Sequence, residues 1–355
     1  MATKPPQIAI LGAGTFVKNQ YLPRLSEISH LLLLKAIWSR TQESATAAVE
    51  IAQKHFPGVE CKYGDNGLDD IIQDPSITAV AVVLAGQNQV DISLRMLKAG
   101  KHVLQEKPAA SCTSELETAL SNYNFISADA PGQLIWSVAE NYRFEPALLE
   151  CKKLIADIGK MMSVQVIVEG SMNSSNPYFS SSWRRNFTGG FILDMGVHFI
   201  AGLRMLVGCE VVSVSAMTSH VDLTLPPPDN ISSVFHLENG SSGVFAMVVS
   251  SRSPKTLWRV VGMNGTVQVE RGFQGQHGYL VSSYGADGQS KSSFFPFSGV
   301  SEELKAFLSD VSENTLKFVA ENRLSFVEGA RDVAVLEAML ESGVKQGELV
   351  HVKKF

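Results

Sequence analysis

The stretch AGKHVLQEKPAA, residues 99–110, combines the end of a helix, a short strand and a charged turn. Gly100 ends a segment with helical spacing, and residues 103–104 predict a buried strand. That strand ends in Glu106 and Lys107, and the proline that follows restrains the backbone of the lysine. In an open α/β sheet, ligands bind outside the carboxyl ends of the strands, so these charged side chains are candidates for ligand binding or catalysis. A surface salt bridge that caps the next helix is the alternative.

Apolar strands alternate with helices on both sides of this stretch. The segments that predict strands are residues 7–11, 31–38, 79–84, 103–104 and 134–139. Such alternation implies right-handed crossovers and a parallel, doubly wound sheet. The sequence therefore predicts an α/β protein with an N-terminal Rossmann domain over residues 1–140.

The remainder of the chain has the pattern of an α+β domain. Short alternating strands occur between residues 164 and 269, where Asn239-Gly240 and Asn264-Gly265 are hairpin turn signals. The segments that predict the main helices are residues 191–207, 302–318 and 327–342. We therefore expect residues 141–355 to form an α+β domain with an antiparallel sheet.

Charge and cysteine content exclude several classes of function. The chain of 355 residues carries a net charge of −5, which argues against binding to nucleic acid or to an anionic membrane. Its four cysteines are scattered without metal-ligand spacing and are typical of free thiols in a reducing compartment. We expect a cytoplasmic protein with a small-molecule substrate, no metal, and no nucleic-acid or membrane partner.

The turn GAGTFV, residues 12–17, follows a strand and precedes a helix, as a dinucleotide fingerprint requires. Gly12 permits the tight turn, and Gly14 lets the backbone approach the pyrophosphate at the helix N-terminus. We expect Thr15 and Phe16 of the same turn to contact the cofactor. The third glycine position is Val17, which implies a looser approach of the helix to the strand; a plain strand-to-helix turn is the alternative.

The second strand ends in Ser39, Arg40 and Thr41, where NAD enzymes place an acid against the ribose. Two hydroxyls and a guanidinium suit a 2′-phosphate instead. We therefore favour NADP(H) over NAD(H), which stays an alternative, as does a solvated Arg40 in the first turn of a helix.

The stretch GGFILDMGVHFIAGLRMLVG, residues 189–208, is the second that carries chemistry. Asp194 and His198 are spaced i, i+4 and share one face of an otherwise apolar helix. A carboxylate beside an imidazole in such surroundings is typical of an acid–base pair, although a structural pair that braces the helix has the same spacing.

Residues 12–17, 99–110 and 189–208 together resemble the Gfo/Idh/MocA oxidoreductases, which include glucose–fructose oxidoreductase, inositol dehydrogenase and dihydrodiol dehydrogenase. The resemblance implies an N-terminal Rossmann domain, and it implies that residues 141–355 form a substrate-binding and dimerisation domain whose open antiparallel sheet forms the dimer interface. It also implies that Lys107 is catalytic and contacts the cofactor, and that the bond between Lys107 and Pro108 is cis. By the same resemblance, Asp194 and His198 form the catalytic pair.

Further residues are expected at the cofactor or at the substrate. The additional cofactor contacts are predicted to be Leu84, Ala85, Gln89, Glu106 and Asn141, and the candidate substrate contacts are Arg143, Trp183 and Arg184. Salt bridges between domains are an equally weighted role for the two arginines. Many family members carry proline at the position of Ala85, histidine at that of Gln89, and an acid at that of Ala201.

The sequence thus predicts an NADP(H)-dependent oxidoreductase of a small polyol, sugar-like alcohol or carbonyl compound. His198 is the expected acid–base residue, oriented by Asp194, while Lys107 stabilises charge on the reacting oxygen. A homodimer is also expected, because the strand at residues 244–250 has apolar residues on both faces. The alternatives are a non-catalytic nucleotide-sensing regulator and a biliverdin-reductase-like enzyme on the same fold.

Overall fold

The first sheet of the protein is built from the strands that alternate with helices in the sequence. The computed structural model describes residues 5–130, 132–313 and 320–355. The strands of this sheet are β1 (Gln7–Leu11), β2 (Leu33–Ser39), β3 (Glu60–Tyr63), β4 (Ala79–Val82), β5 (His102–Glu106) and β6 (Trp136–Ala139). They are all parallel and lie in the order β3-β2-β1-β4-β5-β6. The predicted doubly wound Rossmann sheet is confirmed.

Helices connect these strands. They are α1 (Leu22–Glu27), α2 (Gln42–Ala52), α3 (Gly64–Gln73), α4 (Gly86–Lys98) and α5 (Thr113–Asp129). The four residues of β4 are all buried, and so are those of β6, which explains why these strands read as continuous apolar runs. The strand order reverses between β1 and β4, and this switch point is where open α/β sheets bind ligands.

β3 was not predicted. Its residues alternate between half-buried and exposed, and two of them, Glu60 and Lys62, are charged. It lies at the edge of the sheet and pairs with β2 alone among the described strands. An edge strand of this kind lacks the apolar run that identified its neighbours.

The second sheet has nine strands and is mostly antiparallel. Its strands are β7 (Met161–Ser171), β8 (Val211–Ser219), β9 (Asn230–Leu237), β10 (Ser242–Val248), β11 (Ser250–Gly262), β12 (Gly265–Phe273), β13 (His277–Gly285), β14 (Ser290–Pro296) and β15 (Val350–His351). They lie in the order β14-β13-β12-β11-β7-β10-β9-β8-β15, in which only the described pair β7 and β10 is parallel. The predicted α+β domain is confirmed, together with its hairpins at Asn239-Gly240 and Asn264-Gly265.

The helices of the second half are α6 (Pro146–Ile155), α7 (Ser182–Arg185), α8 (Gly190–Val207), α9 (Gly299–Glu313) and α10 (Phe326–Val344). The predicted helix at residues 302–318 corresponds to α9, and its part beyond residue 313 lies outside the described residues. β13, β14 and β15 were not predicted. β14 has four exposed residues in succession and lacks apolar alternation there, and β15 has only two residues.

The chain divides into two compact units. The first contains residues up to Glu140 together with Val300–Gly329, and the second contains Asn141–Gly299 together with Ala330–Phe355. Residues 300–329, which the sequence placed in the second domain, thus group with the first unit. Burial of an aromatic side chain explains this grouping, since Phe326 stacks on Trp136 of β6 with a ring-centroid distance of 3.8 Å.

α8 is the apolar core helix of the second unit. It is long and apolar enough to cross a membrane, but 89% of it is buried inside the protein. Its glycines let neighbours approach closely, since a Cβ on Gly202 would lie 3.0 Å from Nε1 of Trp258. The helix is therefore a packed element of the fold, and it presents Asp194 and His198 from a fixed position.

Candidate active site

The glycine-rich turn after β1 requires glycine at its first position. Gly12 has φ of 132°, and a Cβ there would lie 2.1 Å from the carbonyl oxygen of Val83. Its N–H donates to the carbonyl oxygen of Trp38 at 2.9 Å, which ties the turn to β2. No other residue fits this approach, as the fingerprint predicts.

The next residues of the turn are open to solvent. Gly14 and Thr15 are exposed, and a Cβ on Gly14 would meet nothing within 4 Å. A pyrophosphate can therefore reach the backbone here. Val17 is buried and begins a wide π-helical turn, Val17–Tyr21, before α1 starts at Leu22. The missing third glycine thus coincides with a widened helix start.

At the end of β2, Arg40 is exposed to solvent, whereas Thr41 has a structural role as a helix cap. Arg40 and Thr41 are exposed, and Ser39 is half-buried. Thr41 also caps α2, since its hydroxyl oxygen accepts from the N–H of Ser44 at 3.4 Å. The guanidinium of Arg40 is left at the surface beside the carboxyl edge of the sheet.

The predicted contacts after β4 differ in accessibility. Leu84 and Ala85 are half-buried, whereas Gln89 is 0% exposed. Neither amide atom of the Gln89 side chain has a hydrogen-bond partner among the described residues. Leu84 and Ala85 are thus open to a ligand, while Gln89 lies in the interior of the first unit.

Glu106 and Lys107 end β5, and the cis bond between Lys107 and Pro108 is confirmed. The Glu106 carboxylate is 7% exposed and accepts a hydrogen bond of 2.7 Å from the Tyr21 hydroxyl. Burial raises the pKa of Glu106 to about 7, while Lys107 opposes the shift and Glu140 adds to it. A carboxyl that titrates near neutral pH therefore adjoins the half-buried Lys107.

Asp194 of α8 is paired with an arginine of the short preceding helix, α7. Nε of Arg184 donates to Oδ2 of Asp194 at 2.8 Å, and the Asp194 side chain is 4% exposed. The guanidinium carbon of Arg184 lies 4.2 Å from the ring centroid of Trp183 and 4.6 Å from that of Tyr178. The two rings and the carboxylate together hold the guanidinium in place.

His198 lies one turn further along α8 and stacks on Tyr142. Their ring centroids are 4.6 Å apart with an interplanar angle of 17°. The sequence did not identify Tyr142, although its position directly after β6, in the run Asn141-Tyr142-Arg143-Phe144, was a signal. The structure thus brings Asp194, His198 and Arg184 together with Trp183 and Tyr142 in the second unit.

Arg143 has a structural partner. It is 3% exposed and forms an ion pair with Asp332 of α10, which also accepts from Nη1 of Arg204 at 2.7 Å. Its neighbour Asn141 is half-buried and donates to the carboxylate of Glu145. Of the two weighted roles for Arg143, the structure shows a salt bridge, formed within the second unit. No group of three metal-ligating side chains occurs among the residues that the structure describes.

Comparison with known proteins identifies the family of this chain. Residues 7–123 match the model of an oxidoreductase family with an NAD-binding Rossmann fold, and residues 148–268 match the GFO/IDH/MocA C-terminal domain. A dehydrogenase of Fusarium mangiferae, FPY6, is 32% identical and covers 98% of this chain and 99% of its own length. The chain belongs to the GFO/IDH/MocA oxidoreductases.

Other similar proteins share less sequence with the chain. An NADP(+)-dependent scyllo-inositol 2-dehydrogenase of Bacillus subtilis is 29% identical over 55% of this chain and 49% of its own. The crystal structure of an aldose-aldose oxidoreductase from Caulobacter crescentus, complexed with glycerol, superposes with a TM-score of 0.82 at 22% identity. That match covers 98% of this chain and 100% of the other, and it shows that the whole fold is shared.

The raised pKa of Glu106 predicts a pH-dependent effect of removing its charge. Because the folded pKa of about 7 lies above the unfolded value, the stability that the neutral carboxyl provides is lost as pH rises through 7. Glu106→Gln should therefore match the wild type at pH 5 and exceed its free energy of unfolding at pH 8, by about 3 kcal/mol.

Urea unfolding at the two pH values measures this difference. Glu43→Gln is the matched control, because Glu43 is exposed and its substitution should have the same effect at both. A Glu106→Gln effect that does not change with pH would show that the carboxyl stays ionised in the fold.

Proposed function

We propose that this oxidoreductase depends on NADP(H) and acts on a small polyol, a sugar-like alcohol or the corresponding carbonyl compound. The observation that carries the proposal is the pair Asp194 and His198 on one face of a buried apolar helix. A paired carboxylate and a stacked imidazole provide acid–base chemistry at neutral pH. The names of two relatives, a scyllo-inositol dehydrogenase and an aldose-aldose oxidoreductase, support an alcohol or carbonyl substrate.

The nucleotide turn fits a dinucleotide cofactor. Gly12 permits the close turn, and the exposed backbone at Gly14 and Thr15, with the adjoining Phe16, would hold the pyrophosphate. Leu84, Ala85, Lys107 and Asn141 are the proposed contacts further along the cofactor. When bound, the nicotinamide supplies the hydride acceptor or donor for the reaction.

The protein must handle the proton that accompanies the hydride. In the oxidation direction, His198 takes the hydroxyl proton while the carbinol carbon loses its hydrogen with the bonding electrons. Asp194, one helical turn away on the same face of α8, orients the imidazole. Lys107 donates a hydrogen bond to the reacting oxygen and stabilises the charge that develops on it.

The two arginines favour an uncharged substrate. Arg184 is paired with Asp194, and Arg143 is paired with Asp332. A guanidinium already neutralised by a buried carboxylate is a weak ligand for a further anion. A polyol or sugar-like alcohol, which is recognised by hydrogen bonds, suits these residues better than an acid.

His198→Ala tests the acid–base assignment. Removal of the imidazole should lower turnover by roughly 10² to 10⁴ while NADPH affinity stays nearly unchanged, because the imidazole moves the proton and does not bind the dinucleotide. The assay follows NADPH absorbance with a panel of polyols, aldoses and carbonyl compounds that includes scyllo-inositol and D-glucose. Melting temperature is measured beside turnover, and exposed His55→Ala is the control that should change neither.

Two further variants refine the test of this mechanism. Lys107→Ala should lower turnover and weaken cofactor binding, and Asp194→Asn should lower turnover while preserving the shape of the side chain. A purely structural role for these residues has a different signature, in which melting temperature falls and activity per folded molecule is retained. Near-normal turnover in folded His198→Ala protein would contradict the mechanism.

Cofactor choice depends on the end of β2. We propose that Ser39, Arg40 and Thr41 bind the 2′-phosphate, since Arg40 is exposed there and no acid lies between the end of β2 and Glu43. Arg40→Ala should weaken NADPH binding by roughly 10- to 100-fold, the equivalent of about 1.5–3 kcal/mol for a charge-assisted contact. NADH binding should hardly change, because it lacks the phosphate.

Fluorescence titration with both cofactors measures these affinities. Lys54→Ala removes another exposed positive charge that follows α2 and should leave both unchanged. Equal losses for NADPH and NADH in Arg40→Ala would rule out a 2′-phosphate contact.

We also propose a homodimer through the second sheet. Val234 and Val244 lie directly opposite each other and are 52% and 41% exposed, with Met217 at 58% on the same face. Ala246 continues this apolar face along β10, and Ile167 continues it on the neighbouring β7. An apolar face of this kind is typical of an interface.

Substitution of the apolar face tests the dimer. Light scattering at micromolar concentration should give twice the chain mass, and Val244→Glu should shift the protein toward monomer because it places a charge in the interface. Leu223→Glu is the control, since Leu223 is 82% exposed but lies outside the sheet. A wild-type monomer under these conditions would contradict the proposal.

A further inference from the structure

The ring that stacks on His198 is held inside an aromatic cluster. Besides its parallel contact with His198, Tyr142 meets three other rings at steep angles. Those rings are Phe199 at 5.7 Å and 80°, Trp258 at 5.9 Å and 57°, and Tyr279 at 6.3 Å and 70°. Edge contacts on several sides leave the ring of Tyr142 little freedom to tilt.

The hydroxyl of Tyr142 is also engaged. It forms a hydrogen bond with Tyr279, whose side chain is 2% exposed. Burial raises the pKa of Tyr279 well above its usual value, and the proximity of Tyr142 adds to the increase. The Tyr279 hydroxyl therefore stays neutral at physiological pH, and its hydrogen bond to Tyr142 adds to the ring contacts that hold Tyr142.

The backbone on both sides of Tyr142 is anchored. Arg143 forms the buried ion pair with Asp332, and the Glu145 carboxylate accepts from the N–H groups of Ser298 at 3.3 Å and Gly299 at 3.1 Å. A Cβ on Gly299 would lie 2.3 Å from the carbonyl oxygen of Asn141, so the segments are in close contact. The turn thus holds Tyr142 in one place through contacts that do not involve His198.

We infer that Tyr142 is a positioning residue for His198: its anchored ring sets the plane of the imidazole, and with it the direction in which the ring nitrogens face the reacting oxygen. The inference rests on the proposed function. Asp194, held by Arg184, lies one helical turn away on the same face. The two residues of the pair are thus each oriented by a partner outside α8.

The first expectation concerns turnover in two variants. Tyr142→Leu removes the flat surface and should lower kcat by roughly 10- to 100-fold, since a misplaced catalytic group can cost about 10²-fold. Its KM for NADP+ should stay unchanged, because Tyr142 acts on the imidazole. Tyr142→Phe keeps the ring and should retain most of the activity. Tyr142→Met, which refills the space with a flexible side chain, serves the same test if the leucine variant does not fold.

A double-mutant cycle separates positioning from general stability. Turnover is measured for the wild type, Tyr142→Leu, His198→Ala and the double variant, with NADP+ and the fastest substrate among scyllo-inositol, D-glucose and glycerol. If Tyr142 acts through His198, the double variant should be no slower than His198→Ala. Losses that multiply would overturn the inference and leave the proposed function intact.

The remaining outcomes are also decisive. Unchanged turnover in folded His198→Ala overturns the acid–base assignment and the inference together. Phe297→Leu is the matched control, since Phe297 contacts Tyr279 at 4.8 Å within the same cluster. It should lower melting temperature without changing kcat. A fall in kcat as large as that of Tyr142→Leu would show that the effect is general to the cluster and would overturn the inference.

Discussion

A charge buried in an apolar interior must be compensated within the fold, and this constraint determines the surroundings of α8. Its carboxylate, Asp194, lies among apolar side chains, and leaving it unpaired would cost several kcal/mol. Arg184 compensates it, and the guanidinium is in turn covered by Trp183 and Tyr178. The short helix α7 therefore lies beside α8, because the buried carboxylate requires its cation.

The first unit also contains a buried carboxyl group, but its pKa is raised. Glu106 is buried at the end of β5, where the Tyr21 hydroxyl donates to it and burial raises its pKa to about 7. One unit therefore contains a carboxylate in an ion pair with arginine, and the other contains a carboxyl that readily takes up a proton.

The parts of the fold that could be predicted are those encoded by local pattern. The apolar runs of β1, β4 and β6, the turn at Gly12 and the i, i+4 spacing of Asp194 and His198 are visible in short windows of sequence. β3 and β14 were missed because they are largely exposed and lack an apolar run. The return of residues 300–329 to the first unit depends on long-range packing, which periodicity does not report.

The same limit applies to the site. Lys107, Asp194 and His198 could be proposed from motif and resemblance, but their partners could not be read in the same way. The pairing of Arg143 with Asp332 joins residues 189 positions apart, and the stacking of Tyr142 on His198 joins two distant segments. Partners of this kind are set by tertiary packing. The sequence therefore left two roles open for Arg143, a substrate contact or a salt bridge, and the structure shows the salt bridge.

The turn after β6 shows how a short segment can serve several purposes at once. A 3₁₀ turn has about three residues per turn, so consecutive side chains point roughly 120° apart. In Asn141–Phe144, Asn141 therefore reaches Glu145, Tyr142 reaches His198 and Arg143 reaches Asp332. Because the ion pair of Arg143 is buried, it fixes the turn rigidly, and that rigidity passes to the neighbouring ring. Arg143, a residue with a structural role, thus holds the neighbouring ring that we infer positions His198.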